Sequence, residues 1–588
     1  MSSRSRRWRP AAASLTAVAM LLTACAEIPT AGPVRPGGDL RIDPPNEGVP
    51  FIAEPPRPGA AAEDIVVGFL RAGADFRNDH AVARDYLTPT ARQAWEPDAG
   101  TVVYTNVTVP EAADRAEVVV RVPEVAQIDR EGTYRRTSGA VVQRSFQMER
   151  VAGQWRIARL DDGLLLSLVD VSETYRQVAL YFLAPSGTTL VPDLVLLPQL
   201  PGLSTQLVSR LLRGPTGGLG GAVRTAFPPG TSLEVASVPV RDGLATVRLD
   251  STALDADSDA REQMSAQIVW TLKQLGPEIA RVRITAGGED LVASGVEPEQ
   301  PRESWESFDP DARPVDPSAY VVRDGAVGRV IEVEVKPVAG PAGRPGAALR
   351  TPAISLDASR IAVVSGDGTT LLTGRLAAGS ADEALTPVAT GQDVSRPSWD
   401  PSGNLWFVDR PSGQLQVLFA DQVRADQAQP VAVTLPPLPG GPLRGLAVSR
   451  DGARVAMVAG AGRQARLTIG SLTGLDRAPA QPTDRPVRVV GVHEVLPDLR
   501  AVRDVAWADA TTVVVLGSRA ELAVRPYFVT VDGYQVLDVE PVEGLVSIAA
   551  APPRTNSLVA ATDDGELMRL TPGGWTPLGP GNGPAYPG

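Results

Sequence analysis

The chain has 588 residues, a net charge of −12, one cysteine and two histidines. That length exceeds what one core supports and predicts three or four domains. Acid and base are interspersed with an acidic excess, which argues against nucleic acid as a partner. A lone cysteine excludes an intrachain disulfide, so ordinary cores must supply the stability.

The N-terminus carries Arg4, Arg6, Arg7 and Arg9, then an apolar stretch from Ala11 to Leu22, then Thr23-Ala24-Cys25. A basic segment, a short apolar segment and a small residue at the cut read as a signal peptide over residues 1–24. The apolar stretch is too short to span a ~30 Å hydrocarbon core, and no later run is long enough either. Leu22-Thr23-Ala24-Cys25 resembles the lipobox of bacterial lipoproteins. The resemblance implies that Cys25 is the lipid attachment site, diacylated (palmitate) and first in the mature protein. The expected location is the cell membrane, lipid-anchored on its extracytoplasmic face. Residues 25–60 then form the lipidated cysteine and a tether. Pro29, Pro33, Pro36, Pro44, Pro45, Pro50, Pro55, Pro56 and Pro58 forbid regular structure there and favour extended polyproline II.

Residues 61–172 read as an N-terminal α+β domain. Ile65, Val66, Phe69, Leu70 and Phe76 follow helical spacing, and Val82, Tyr86 and Leu87 mark a second helix. Strands are expected over Thr101–Val109, Ala116–Val122, Val141–Met148 and Gln154–Leu160. Tyr86-Leu87-Thr88-Pro89, Ala94-Trp95 and Gly153-Gln154-Trp155-Arg156-Ile157 resemble the cone-shaped nuclear-transport-factor-like fold, which implies no catalysis by itself.

Residues 176–296 form a second domain. Val178–Leu183 is an apolar strand, and Leu207, Val208, Leu211 and Leu212 lie on one face of a helix stopped by Gly214-Pro215. Ala245, Val247 and Leu249 alternate along a strand. A longer helix after Asp257 or Ser258 carries Met264, Ile268, Val269, Leu272 and Leu275, and Val282 and Ile284 begin a last strand. Tyr181-Phe182, Leu211-Leu212-Arg213-Gly214-Pro215-Thr216 and Phe227-Pro228-Pro229-Gly230-Thr231 resemble the GerMN (sporulation and germination) domain. Residues 297–320, rich in proline and acid, read as a linker, which predicts that 61–296 and 321–588 fold separately.

Residues 321–571 repeat a hairpin. Ile354-Ser355-Leu356-Asp357, Pro397-Ser398-Trp399-Asp400, Ala447-Val448-Ser449-Arg450-Asp451 and Ala506-Trp507-Ala508-Asp509 each lead through a turn into a second apolar run. Ser547-Ile548-Ala549 does so through Pro552-Pro553. A hairpin recurring about every 43 to 58 residues predicts β-propeller blades, five to seven of them, with a β-sandwich carrying coincidental turns as the alternative. Tyr320–Val335 starts a first blade or closes the ring. Residues 572–588, rich in Gly and Pro, read as a flexible tail. The predicted fold class is thus multidomain: a cone-like α+β domain, an α+β GerMN domain and an all-β propeller.

No catalytic, cofactor-binding or metal-binding residues are predicted. His80 and His493 fall in different domains, whereas a zinc site or a Ser-His-Asp triad needs clustered partners. Gly217-Gly218-Leu219-Gly220-Gly221 follows a helix and lacks dinucleotide spacing. Asp255, Asp257 and Asp259 precede a helix, where carboxylates cap it and favour its dipole, rather than forming a calcium loop. Asp357, Asp400, Asp451 and Asp509 recur in equivalent turns, as structural residues do.

Lipobox, first domain, GerMN-like domain and propeller stand here in the order of the LpqB lipoprotein family of actinobacteria, which the chain resembles throughout. The resemblance implies an accessory, non-enzymatic role: binding the ectodomain of a sensor histidine kinase (MtrB-like) and tuning cell-wall and division control. The alternatives are a module binding cell-wall polymer and a propeller hydrolase or lyase acting on the envelope.

Overall fold

The computed structural model describes residues 53–109, 116–311, 317–376, 384–424, 428–475, 486–520, 522–553 and 557–588. The signal peptide, Cys25 and the tether up to residue 52 lie outside the described residues. Residues 53–60, expected as tether, lie on the first domain: Tyr86 Oη donates to the Glu54 carbonyl at 2.8 Å.

Helix α1 (Ala62–Ala72) buries Ile65, Val66, Phe69 and Leu70 along one face. Gly68 lets it approach Tyr86, whose ring atoms would lie 2.6 Å from any Cβ there. Helix α2 (Ala81–Arg84) is a single turn, so Tyr86 and Leu87 follow it rather than belonging to it. Helix α3 (Pro89–Ala94) starts at Thr88, whose Oγ1 accepts from Ala91 N–H at 3.3 Å. The helices cover a sheet in the order Gln154–Arg159, Val141–Val151, Glu117–Ile128, Thr101–Tyr104, Leu164–Ser167. Neighbours are antiparallel except the last pair, which is parallel. The alternation expected over Ala116–Val122 thus runs on to Ile128, and a further strand closes the sheet at Leu164–Ser167.

Helix α4 (Leu168–Thr174), held by a Ser167–Asp170 capping box, leads into the second domain. There a hairpin, Tyr175–Leu183 with Leu190–Pro198, packs under α5 (Leu203–Arg213) and α6 (Ser258–Lys273). Leu244–Leu249 and Arg281–Ala286 pair in parallel, with α6 as the crossover between them. Asp257 caps α6, its Oδ1 accepting from Ala260 N–H at 2.8 Å.

The stretch 297–320 is not an open linker. Glu299–Pro301 adds a strand against Arg281–Arg283. Gln300 is 1 % exposed, and its amide joins Ser265 Oγ (3.3 Å) and Trp305 Nε1 (2.7 Å). Trp305 and Phe308 pack together on Trp270, and their apolar area outweighs the proline and acid that suggest a linker.

The C-terminal region holds six four-stranded antiparallel sheets among the described residues, arranged as propeller blades. Blade 1 combines Tyr320–Arg323, Ala326–Ile331 and Glu334–Pro337 with Asn582–Ala585. Blades 2 to 6 begin at Leu349–Ile354, Ser398–Trp399, Leu443–Val448, Leu499–Asp509 and Leu545–Ala549. Residues 572–588 are therefore no flexible tail. Gly574–Pro580 is the outer strand of blade 6, and Asn582–Ala585 is the innermost strand of blade 1, pairing with Tyr320 and Val322. The ring closes by joining both ends of the region in one sheet, which removes two sheet edges.

The two halves do not stand apart either. Ala179 and Leu194 of the second domain share a core with Ile469, Val495, Leu496 and Val529 of blades 4 and 5. Arg454 of blade 4 donates to the Pro192 carbonyl, and Ser471 Oγ to the Gly218 carbonyl at 2.7 Å. The first domain also reaches the propeller: Arg136 donates to the Gly533 carbonyl, and the Tyr134 and Tyr534 rings lie 5.1 Å apart. A buried apolar joint of this kind opposes separate folding of 61–296 and 321–588.

Candidate functional site

The blade turns repeat one hydrogen-bond pattern. Ser355, Ser365, Ser449, Thr530 and Thr562 each donate a hydroxyl to the aspartate two residues on. Each hydroxyl also accepts a backbone N–H at or just before the start of the next strand. Asp400 instead accepts from Asn404 and from Trp406 Nε1 at 3.0 Å, and Asp509 from Thr511 N–H at 2.8 Å. The recurrent aspartates thus close hairpins. The second set lies in later hairpins of the blades, Asp367 and Asp564 between the second and third strands and Asp532 between the third and fourth.

The bore of the propeller is filled. Arg396 lies across it, both terminal nitrogens on Asp504 (3.1 and 2.9 Å), with further bonds to the carbonyls of Val505 and Ile548 at 2.9 Å. The remaining cavity, about 60 Å³, is walled by Trp399, Ala447, Trp507, Ala549 and Tyr586 and has room for a few waters. Where the innermost strands end, Pro587-Gly588 covers the opening: Gly588 N–H donates to the Ile354 carbonyl (3.0 Å) and Arg450 to that of Pro587 (3.0 Å). Buried Arg450 faces Asp311 and Asp509. Burial pushes its guanidinium down to about 10 and, aided by Asp509, pushes the Asp311 carboxyl up to about 7.

His493 sits on the strand Arg488–Glu494 at the junction of all three domains. Its ring nitrogens face the carbonyls of Gly491 (3.2 Å) and Val531 (3.0 Å), and burial lowers its pKa. Beside it, buried Asp193 accepts from Thr216 N–H and Oγ1 at 2.7 and 2.9 Å, and burial raises its pKa. Among the described residues no three His, Cys, Asp or Glu side chains gather as a metal site would require.

An open cleft of about 920 Å³ with convergent polar groups lies between the first two domains. His80 projects from the N-cap position of α2 and is 3 % exposed. It follows Asn78 and Asp79 in a run of three left-handed residues (φ 50°, 56° and 55°). Its ring packs edge-on against Phe76 at 4.8 Å, and Phe76 against Tyr175 at 5.2 Å. The Tyr175 hydroxyl bonds Thr101 Oγ1 at 3.1 Å. Burial holds the imidazole below its usual pKa, and Nδ1 has no partner. Across the cleft α5 presents Arg210 and Arg213. The facing arginines follow only from docking α5 against the first domain, where Arg210 donates to the Arg130 carbonyl at 2.7 Å.

These parts define a multidomain protein in which a GerMN-type domain joins a cone-like domain to a closed β-propeller. Residues 55–172 match the family model for the lipoprotein LpqB N-terminal domain, 179–292 that for sporulation and spore germination, and 325–587 that for the lipoprotein LpqB beta-propeller domain. Lipoprotein LpqB of Thermobifida fusca is 32% identical over 98% of this chain and 99% of its own length. That of Streptomyces coelicolor is 30% identical over 100% and 99%. The chain belongs to the lipoprotein LpqB family. Among solved structures, the first GerMN domain of GerM from Bacillus subtilis aligns at a TM-score of 0.19 and 18% identity, covering 22% of this chain and 98% of that one. TolB from Acinetobacter baumannii aligns at 0.35 and 16%, covering 46% and 66%.

Proposed function

We propose that this protein is a lipid-anchored accessory factor of the cell envelope, acting by binding rather than by catalysis. It is anchored through Cys25 and engages the extracellular part of a sensor histidine kinase of the MtrB type. The observation that carries the reading is the propeller bore, stopped by Arg396–Asp504 at one end and by Pro587-Gly588 at the other. A propeller enzyme needs an open mouth with convergent reactive groups; a binding scaffold needs only its outer faces. Membership of a lipoprotein family agrees with this. The buried joint among the three domains supports a body that presents fixed surfaces. A lipid anchor would confine it to the membrane of the kinase and raise the effective concentration, so that a weak contact suffices. Binding that favours one kinase state shifts signalling by its differential affinity alone.

The test pairs two measurements. The full ectodomain should bind the purified kinase ectodomain in a pull-down, and deletion of the gene should change phosphorylation of the cognate regulator. No binding together with unchanged phosphorylation overturns the reading.

A further inference from the structure

The kinase reading makes no use of the cleft between the first two domains. We propose that this cleft binds a short zwitterionic peptide: Arg210 and Arg213 hold its carboxylate, Asp98 its ammonium group, and the peptide backbone hydrogen-bonds Nδ1 of His80.

Four observations converge on this. The first is size. About 920 Å³ lies at the upper end of the range of ligand pockets, enough for a few residues rather than a single ion.

The second is His80. A polar atom buried this deeply almost always has a partner. Nδ1 of His80, a residue only 3 % exposed, has no hydrogen-bond partner among the described residues. A peptide backbone, which offers both a donor and an acceptor, can partner this nitrogen in either tautomer.

The third is charge. Arg84 pairs with Asp79 at 2.8 Å and Arg130 with Glu96 at 3.4 Å. Arg210, Arg213, Asp98 and Asp129 line the same cleft with no ion-pair partner among the described residues. Asp129 serves its own turn, accepting from Thr133 N–H at 2.8 Å. Arg210 is half-buried beside the like-charged Arg213; Glu131, Asp129 and Asp98 offset this in part, and an anion between the two arginines would relieve the remaining burial and repulsion. Charges of both signs left over in one space select a ligand that carries both. Between them the wall is apolar, with Phe76, Leu196 and Leu200.

The fourth is conformation. Three consecutive non-glycine residues held in the left-handed region carry strain, and such strain collects where a side chain must be aimed. Here it aims His80.

Two histidines make the experiment simple. The full mature chain labelled with ¹⁵N-histidine gives two imidazole signal sets, assigned with His80→Gln. Tri-alanine at millimolar concentration should shift the His80 signals and leave those of His493 in place. N-acetyl-tri-alanine amide, which lacks both charges, should shift neither. Arg210→Gln/Arg213→Gln and Asp98→Asn, all on exposed or half-exposed positions, should each weaken tri-alanine binding about tenfold or more, as loss of a charge-assisted bond does. No His80 shift with tri-alanine, an equal shift with the blocked peptide, or unchanged binding in both charge variants overturns the proposal. The comparison of the two peptides on the wild-type chain decides even if a variant folds poorly. Kinase binding is measured separately, so the two readings fail independently.

Discussion

Arg396, ahead of the innermost strand of blade 3, reaches Asp504 on the innermost strand of blade 5, and both side chains are more than four-fifths buried. Asp504 also accepts from Ile548 N–H of blade 6 at 2.9 Å, so one ion pair ties three blades across the bore. The pair satisfies the carbonyls of Val505 and Ile548 as well.

Removing one member leaves the other charge desolvated and alone. Arg396→Met and Asp504→Leu should therefore each cost about 3 kcal/mol, within the range for broken buried pairs. Arg396→Met/Asp504→Leu should cost less than the sum of the single changes, because no charge is left behind. Urea denaturation of the four species of the cycle measures this. A single-variant loss below about 0.5 kcal/mol would class the pair with surface ion pairs.

Asp311 gives a pH dependence of definite sign. Its carboxylate accepts from Ala510 N–H at 2.5 Å and faces Asp309, Asp509 and Arg450. Burial, then Asp509, raise its pKa from 3.8 to about 7. Between those values the folded state holds the proton and the unfolded state does not. This group's contribution to stability is therefore complete below pH ~4 and lost as pH rises to about 7, beyond which it levels. Asp311→Asn keeps an oxygen for Ala510 and removes the charge. It should flatten that slope and raise the urea midpoint above neutral pH. An unaltered profile would show that Asp311 is not desolvated.

Gly533 sits at φ +77°, and a Cβ there would run into the Val495 carbonyl. Its own carbonyl accepts from Arg136 of the first domain. Gly533→Ala should destabilise by about 2 kcal/mol through backbone strain. It should also speed limited proteolysis between the first domain and the propeller. Equal proteolysis rates would place the strain away from the domain joint.

Deleting residues 582–588 removes the innermost strand of blade 1 and bares the edge Tyr320–Arg323. An open sheet edge recruits other chains. The truncated protein should melt at lower temperature and elute from size exclusion partly as oligomers. A monodisperse, equally stable product would mean that the ring closes without its last strand.

Cys25→Ser removes the thiol that lipid would occupy. The variant should accumulate as precursor or appear in the medium, since two acyl chains hold a protein on a membrane where one does not. Fractionation of mature variant with membranes, as for wild type, would exclude Cys25 as the anchor.

What the sequence determines by itself is local or periodic. The hairpin repeat marks the propeller, because alternating strands and Asp turns encode each blade within a few dozen residues. The glycine-proline exit of α5 and the Asp257 cap of α6 are read the same way, since caps depend on neighbours in the chain. Tertiary structure alone decides the rest. Proline and glycine in 572–588 suggest a tail, yet pairing with a strand some 260 residues earlier orders it, and no local pattern reports so distant a partner. Proline and acid in 297–320 suggest a linker, yet Trp305 and Phe308 find a surface on Trp270. The Arg396–Asp504 stopper and the cleft joining His80 to Arg210 have the same origin. Each brings together side chains more than 100 residues apart, and only the closing of the ring and the docking of α5 set them face to face.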